Sequence, residues 1–180
     1  MCWRDDIAKE RLCSRCNQKY YGDLGHRNCP ANFNFSYLHQ GELSNNQIDH
    51  INELLKQLTD RPRKISREIL DKILGQSGIF ILAVKNHHGK IIAIATLAVR
   101  GLLLNKTAII GDVVVDEKYR GMKLGKMLVK SLIKMARSEE SLFVSLTSHP
   151  RRIEANKLYQ SLGFKLIGNI GESNYYRLSL

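Results

Sequence analysis

The sequence predicts an α/β protein in which a mixed central sheet carries helices on both faces, preceded by a small N-terminal Cys3His zinc-binding element. All four cysteines lie within residues 1–32, a stretch with little periodic hydrophobicity. From about Phe33 onward, strand-like and helix-like segments alternate, which is typical of a sheet covered by helices. We therefore divide the chain into a zinc-binding element over residues 1–32 and one domain over residues 33–180.

The composition is that of an ordinary folded domain. Of 180 residues, 43% are hydrophobic and 25% charged, which is near the average for soluble globular proteins. The longest apolar run, Ile79–Val84, is far shorter than the roughly 20 residues that span a bilayer, and the first residues lack the apolar core of a signal peptide. These features exclude a disordered or collagen-like chain and predict a cytoplasmic protein without a membrane partner.

Serine residues begin the first two predicted helices. Ser44 and Ser66 each precede apolar residues at helical spacing, and serine is a favoured residue before a helix. The two β-branched runs that follow, Ile79–Val84 and Ile91–Val99, flank a turn with a glycine and predict a hairpin.

The second half of the domain alternates strands and helices. Thr107–Val115 is a strand in which Val113 and Val115 face one side and Asp112 and Val114 the other, because side chains alternate along a strand. The remaining predicted elements are a helix with the apolar stripe Leu124, Leu128, Leu132 and Met135, a strand over Leu142–Leu146, a helix over Arg151–Leu162, and strands over 164–168 and 174–180.

Positive charge is concentrated in one segment. The chain has 28 Lys and Arg against 17 Asp and Glu, a net charge of +11, and residues 117–137 alone carry seven basic residues and one acidic residue. A local excess predicts a local anionic ligand such as a phosphorylated cofactor. It supports nucleic acid as a partner only weakly.

This basic segment runs from a strand through a tight loop into a helix. The first N–H groups of a helix lack partners and carry partial positive charge, so they bind anions. Arg120 and Lys126 add direct charge pairing. The Walker and dinucleotide glycine motifs are absent from the sequence, so the segment predicts a pyrophosphate site of another kind.

Two motifs connect this loop with a known family. Arg120, Lys123 and Gly125 occupy the spaced positions of the pattern Q/R-x-x-G-x-G/A, and Ala155–Phe164 fits A-x-x-L-Y-x-x-x-G-F without a departure. In both motifs, and over residues 33–180, the chain resembles the GNAT superfamily of acetyl-CoA-dependent N-acetyltransferases. It departs from the family at Lys123, where glycine is usual, and at Arg152, where asparagine is frequent.

The resemblance implies a reaction and a set of residues. It implies transfer of an acetyl group from acetyl-CoA to a primary amine, with Tyr159 protonating the leaving thiolate. A backbone N–H near Val114 or Val115 would bind the thioester oxygen. The implied cofactor-binding residues are Val113, Val114, Val115, Arg120, Gly121, Met122, Lys123, Leu124, Gly125, Lys126 and Asn156.

The base and the acceptor stay open at this point. Asp112 is the first candidate to accept the amine proton, through water, although it is also interpretable as a solvated or capping carboxylate; His149 is the rival base. The acceptor is a protein amino group, a small-molecule amine or an aminoacyl-tRNA. Because Lys123 and Arg152 depart from the family pattern, a non-catalytic regulator that binds acyl-CoA or nucleic acid is the alternative function.

The N-terminal element has the spacing of a metal site. Two ligand pairs separated by nine residues suit tetrahedral Zn²⁺, and so small an element needs a metal for stability. Free thiols and a redox or disulfide role are the alternatives; Cys2 is a spare thiol, though it or His39 could replace one ligand. The predicted ligands are Cys13, Cys16, His26 and Cys29.

Overall fold

The computed structural model describes residues 10–12, 19–21, 33–59, 61, 63–101 and 103–180. Two short antiparallel strands, β1 (Glu10–Leu12) and β2 (Lys19–Tyr21), pair so that Leu12 lies opposite Lys19. Among the described residues, no group of three or more side chains is placed to hold a metal ion. The predicted zinc ligands all lie outside the described residues: Cys13, Cys16, His26 and Cys29.

From Asn34 onward the chain forms a seven-stranded sheet. Its strand order is β3–β4–β5–β6–β7–β9–β8, in which β6 and β7 are parallel and all other neighbours antiparallel. The strands are β3 (Asn34–Tyr37), β4 (Ile79–Lys85), β5 (Ile91–Gly101), β6 (Lys106–Val115), β7 (Ser141–Ser148), β8 (Lys165–Ile170) and β9 (Ser173–Ser179).

Four α-helices accompany the sheet in the part of the chain that is described: α1 (Asn45–Leu58), α2 (Arg67–Leu74), α3 (Leu124–Ser138) and α4 (Ile153–Ser161). Both predicted serine caps are confirmed, since the hydroxyls of Ser44 and Ser66 each accept a backbone N–H at 3.3 Å. No helix among the described residues is long and apolar enough to cross a membrane.

The helices cover both faces of the sheet, as the sequence predicts. On one face, α1 and α2 bury Ile48, Leu54 and Leu70 against β4, β5 and β6. On the other face, α3 and α4 contribute Leu128 and Tyr159 to a larger core. The predicted stripe of α3 is buried at Leu124, Leu128 and Leu132 and partly buried at Met135.

Strand β6 contains a β-bulge at Asp112. The ladder with β5 pairs Thr96 with Gly111 and Ile94 with Val114, so one residue of β5 lies opposite two residues of β6. Asp112 has a φ of 50°, which is left-handed backbone. A bulge of this kind bends the strand and re-aims the side chains beyond it.

The bulge changes which residues of β6 face α3. Before it, Ala108 and Ile110 belong to the core on the α3 side; after it, Val113 and Val115 pack there, while Val114 belongs to the α1 side. The predicted opposition of Val113 and Val115 to Val114 is therefore confirmed. The simple alternation stops at the bulge, because an extra residue shifts the period by one.

Strands β6 and β7 separate towards their carboxyl ends. They pair from Lys106 opposite Ser141 to Ile109 opposite Ser145. Beyond these residues no pairing joins the two strands, although both are described to their ends at Val115 and Ser148. The sheet thus has an opening along its parallel pair, next to the loop that leads into α3.

Candidate functional site

A cavity of about 830 Å³ lies at the end of β6, where the two parallel strands have separated. Its walls come from the end of α1, the end of β6, the loop before α3 and the start of α4. The lining residues are Gln57, Leu58, Val113, Val114, Val115, Arg120, Gly121, Lys123, Gly125, Lys126, Arg151, Arg152, Ile153, Glu154, Ala155, Leu158 and Tyr159.

The start of α3 presents free N–H groups to this cavity. The first hydrogen bond of the helix runs from the Met127 N–H to the Lys123 carbonyl at 3.1 Å. The N–H groups of Leu124, Gly125 and Lys126 therefore have no acceptor earlier in the helix. The residue before the helix, Lys123, makes no side-chain cap, so these donors stay available to an anion.

Gly125 lies in α3 between β6 and α4. A Cβ atom at this position would lie 3.6 Å from Leu158 Cδ2 and 3.8 Å from Val115 Cγ2, which are ordinary van der Waals distances. Glycine leaves this part of the cavity wider by one methyl group.

The cavity is strongly basic. Five cationic side chains line it, against one carboxylate from Glu154. Arg120 is held in place, because its Nε donates to the Val115 carbonyl at 3.2 Å and its Nη2 to Gln57 Oε1 at 3.4 Å. The cationic residues are Arg120, Lys123, Lys126, Arg151 and Arg152.

Three of these cations come from the basic segment that the sequence identified, and two do not. Within residues 117–137, only Arg120, Lys123 and Lys126 line the cavity, while the other four basic residues are exposed elsewhere. Arg151 and Arg152 come from the start of α4. Positive charge is thus gathered from two distant parts of the chain, which suits a ligand with several anionic groups.

Tyr159 forms one end of the cavity. Its side chain is 6% exposed and packs edge-on against Phe164, with ring centroids 6.1 Å apart. Its hydroxyl makes no hydrogen bond to another described residue. Burial raises the pKa of the Tyr159 hydroxyl above its ordinary value, and the charge of Arg152 partly opposes this. The hydroxyl is therefore protonated at neutral pH and can act as an acid.

The backbone of β6 offers one further donor. The Asp116 N–H bonds to the Ile92 carbonyl of β5 at 2.8 Å. Successive N–H groups of a strand point to alternate sides, so the Val115 N–H points away from β5, towards the opening beside β7. The Val115 carbonyl accepts from Arg120, which is consistent with this orientation.

Several of the predicted site residues do not line the cavity. Asp112 is exposed at the bulge, Met122 packs on the α3-side core, and Leu124 is 1% exposed within that core. Asn156 is buried and donates to the carbonyls of His149 at 3.0 Å and Arg152 at 2.9 Å. It therefore braces the chain before α4.

His149, the rival base, lies just after β7. Its Nε2 is 3.8 Å from a carboxylate oxygen of Glu172, and its Nδ1 accepts the Arg151 N–H at 3.2 Å. Gln57 and Leu58 of α1 are cavity residues that sequence reasoning missed. No local signal marks them, because only the packing of α1 on the sheet brings them to the loop before α3.

Lys123 adopts left-handed backbone, with a φ of 61°. This conformation costs a non-glycine residue about 1–2 kcal/mol. We expect Lys123→Gly to raise the free energy of unfolding by up to about 1 kcal/mol, since the added freedom of the unfolded chain offsets part of the relief. Coenzyme A, the ligand that the sequence resemblance implies, should bind about two- to fivefold more weakly through loss of one exposed charge.

Denaturant unfolding and calorimetry with coenzyme A would measure the two effects. Lys123→Ala is the matched control, because it removes the same charge and keeps the backbone strain. It should lose affinity without gaining stability. Wild-type affinity in both variants would show that the ammonium group takes no part in binding.

The sequence was compared with models of known protein families. The model of the acetyltransferase (GNAT) family matches residues 48–164. The chain belongs to the GNAT acetyltransferase family. As a member, it is an acyltransferase enzyme, and this favours catalysis over the non-catalytic alternative. A comparison with curated proteins finds no match.

Several solved structures share the fold. An acetyltransferase of Trypanosoma brucei is 26% identical with a TM-score of 0.64, covering 77% of this chain and 96% of its own. Glucosamine-6-phosphate N-acetyltransferase of Arabidopsis thaliana is 24% identical with a TM-score of 0.63, covering 77% and 95%. The NatC complex bound to Gag peptide and CoA contains a chain that is 20% identical with a TM-score of 0.62, covering 81% and 98%.

Proposed function

We propose that this GNAT enzyme transfers an acetyl group from acetyl-CoA to a primary amine. The observation that carries the proposal is the basic cavity at the end of β6, which five cations, the start of α3 and a buried tyrosine line together. The cations and the free N–H groups at the start of α3 suit a pyrophosphate. A leaving thiolate needs an acid such as the tyrosine.

The phosphates of coenzyme A would lie at the start of α3. Free N–H groups of a helix start bind phosphate, and Arg120, Lys123 and Lys126 add charge-assisted bonds. Gly121 and Gly125 let the backbone approach closely. We propose that coenzyme A contacts those predicted cofactor-binding residues that line the cavity. The predicted residues Met122, Leu124 and Asn156 do not line it and would instead support the loop and helices that do.

The thioester would lie in the opening between β6 and β7. There the Val115 N–H is the donor proposed for the thioester oxygen, where negative charge develops as the amine attacks. Tyr159 is the proposed general acid for the sulfur. Both groups line one cavity, which supports their acting on the same bond.

A neutral amine must lose a proton during the reaction. Asp112 is exposed at the bulge and outside the cavity lining, so it would accept this proton through water, as the sequence suggests. His149 is the other candidate; its Nε2 lies 3.8 Å from a carboxylate oxygen of Glu172, and its Nδ1 accepts the Arg151 N–H. Both assignments stay proposals.

The direct test is thiol release from acetyl-CoA in the presence of amines. A polyamine, a short peptide and glucosamine 6-phosphate sample three classes of acceptor, and the last two are named by structures of similar fold. We expect amine-dependent thiol release with at least one class, accompanied by an acetylated product in mass spectrometry. Tight coenzyme A binding without release in any mixture would contradict the proposal.

We also propose that the N-terminal element binds one Zn²⁺ through Cys13, Cys16, His26 and Cys29. Two ligand pairs of this spacing support it. Metal analysis should find about one zinc per chain.

The control uses the cysteine outside the predicted set. Cys13→Ser should lose the metal and Cys2→Ser should keep it. Less than ~0.3 zinc per purified chain would contradict the site, because structural zinc is bound tightly enough to survive purification.

A further inference from the structure

Arg152 lies at the start of α4, where its side chain makes no stabilising contact with that helix. It immediately precedes α4 with a φ of −83° and makes no side-chain cap to that helix. A cation at a helix start opposes the helix dipole, and arginine is not a favoured capping residue. Another contact must therefore account for the placement of its side chain.

That contact is with the opposite wall of the cavity. The Arg152 guanidinium donates to the carbonyl of Leu58, the last residue of α1. The last carbonyls of a helix lack an internal donor, and a cation is favourable beside them. The guanidinium is thereby held between the end of α1 and the start of α4, both of which line the cavity.

The same placement brings the charge of Arg152 towards Tyr159. The two residues are seven positions apart, which is two turns on one helix face. Helical side chains generally lean towards the helix start, which for Tyr159 is the direction of Arg152, and both residues line the same cavity. Burial raises the pKa of the Tyr159 hydroxyl and the positive charge of Arg152 lowers it.

Other titratable or charged groups pack on Tyr159 or line the same cavity. Tyr176 of β9 packs on the ring at 6.1 Å between centroids, and α1 contributes the uncharged Gln57 and Leu58 to the cavity. The charged groups that line the same cavity are Arg120, Lys123, Lys126, Arg151 and Glu154. Burial raises the pKa of the Tyr159 hydroxyl, and the charge of Arg152 opposes that rise.

We propose that Arg152 is a positioning residue that stabilises the tyrosinate formed when Tyr159 gives its proton to the leaving thiolate. This rests on the proposed role of Tyr159. In the step, the amine nitrogen bonds to the acetyl carbon, the carbon–sulfur bond breaks, and sulfur takes the phenolic proton. The proton lost by the product nitrogen passes through water to the proposed base, Asp112 or His149, and from that base back to the tyrosinate. A buried anion is costly without a counter-charge, and Arg152 supplies one.

The test is the pH profile of kcat. Arg152→Gln should lower kcat on the order of tenfold. It should also move the alkaline limb to higher pH, because the hydroxyl loses the cation that lowers its pKa and stays protonated longer. Arg152→Lys keeps the charge and should keep the wild-type limb. Arg152→Met is a second charge-free variant, which retains an apolar stem if the glutamine variant folds poorly.

Arg151→Gln is the matched control. It removes the same charge from the same cavity, so it should weaken coenzyme A binding and leave the alkaline limb of kcat in place. An equal shift of the alkaline limb of kcat in Arg152→Gln and Arg151→Gln would overturn the proposal, because the effect would then belong to the cavity charge in general. No shift in either variant would also overturn it, because the pKa of Tyr159 would then not depend on Arg152.

A double-mutant cycle separates this proposal from the one on which it rests. In a Tyr159→Phe background, Arg152→Gln should cause no further loss of kcat, because the tyrosinate is never formed. A full additional loss would overturn the role of Arg152 alone. Wild-type turnover of Tyr159→Phe by itself would instead remove the general acid.

Discussion

Replacing Tyr159 with phenylalanine is expected to lower kcat by about 100-fold or more, the usual scale for loss of a general acid. Tyr159 lines the cavity, and its hydroxyl makes no hydrogen bond to a described residue, whereas its ring packs against Phe164 and Tyr176. Phenylalanine keeps the ring packing and removes the proton. Thiol release at saturating acetyl-CoA measures the loss.

A neighbouring tyrosine provides the control for this substitution. Tyr176 is 1% exposed, packs on Tyr159 and does not line the cavity. Tyr176→Phe deletes a hydroxyl from the same aromatic cluster, and it should keep kcat within a few fold of wild type. If both variants lose activity equally, the effect of Tyr159 lies in packing. If neither loses activity, another group protonates the thiolate.

Arg120→Ala is expected to raise the Kd for coenzyme A roughly 10- to 100-fold, because a charge-assisted hydrogen bond contributes about 1.5–3 kcal/mol. Arg120 also donates to the Val115 carbonyl and to Gln57. Its loss therefore frees the loop before α3 as well as removing a phosphate partner. Calorimetric titration with coenzyme A measures the change directly.

Lys130→Ala removes the same formal charge from the exposed side of α3, outside the cavity lining. We expect its affinity for coenzyme A to change less than twofold at about 0.15 M salt, where exposed charges are largely screened. Equal losses in the two variants would mean that only the summed charge of the helix attracts the ligand.

Local sequence signals predict the parts of this fold that local chemistry forms. Both serine caps are correct because a cap depends on the residue and the few N–H groups that follow it. The loop before α3 is likewise contiguous from Arg120 to Lys126, and most of it lines the cavity. Position in a motif did not predict cavity contact for Leu124 and Asn156, because both side chains are buried in the protein.

Features formed by distant segments leave little trace in the sequence. Gln57 and Arg151 reach the cavity only after α1 and α4 pack on opposite faces of the sheet. The sequence also gives no sign of the bulge at Asp112. A glycine is the usual mark of left-handed backbone, but here the left-handed residue is the aspartate, and the preceding Gly111 lacks a positive φ. A strand of alternating residues predicts no extra residue, and only the pairing with β5 reveals it.

The separated ends of β6 and β7 connect folding with the supply of cosubstrate. Backbone groups on these facing edges lack a partner strand, so a ligand seated between them would complete the sheet as well as react. Binding to the folded state alone adds to the free energy of unfolding, by about 2.7 kcal/mol when the ligand is at 100 times its Kd. An enzyme that binds acetyl-CoA in this way is expected to resist unfolding and proteolysis best when acetyl-CoA is abundant.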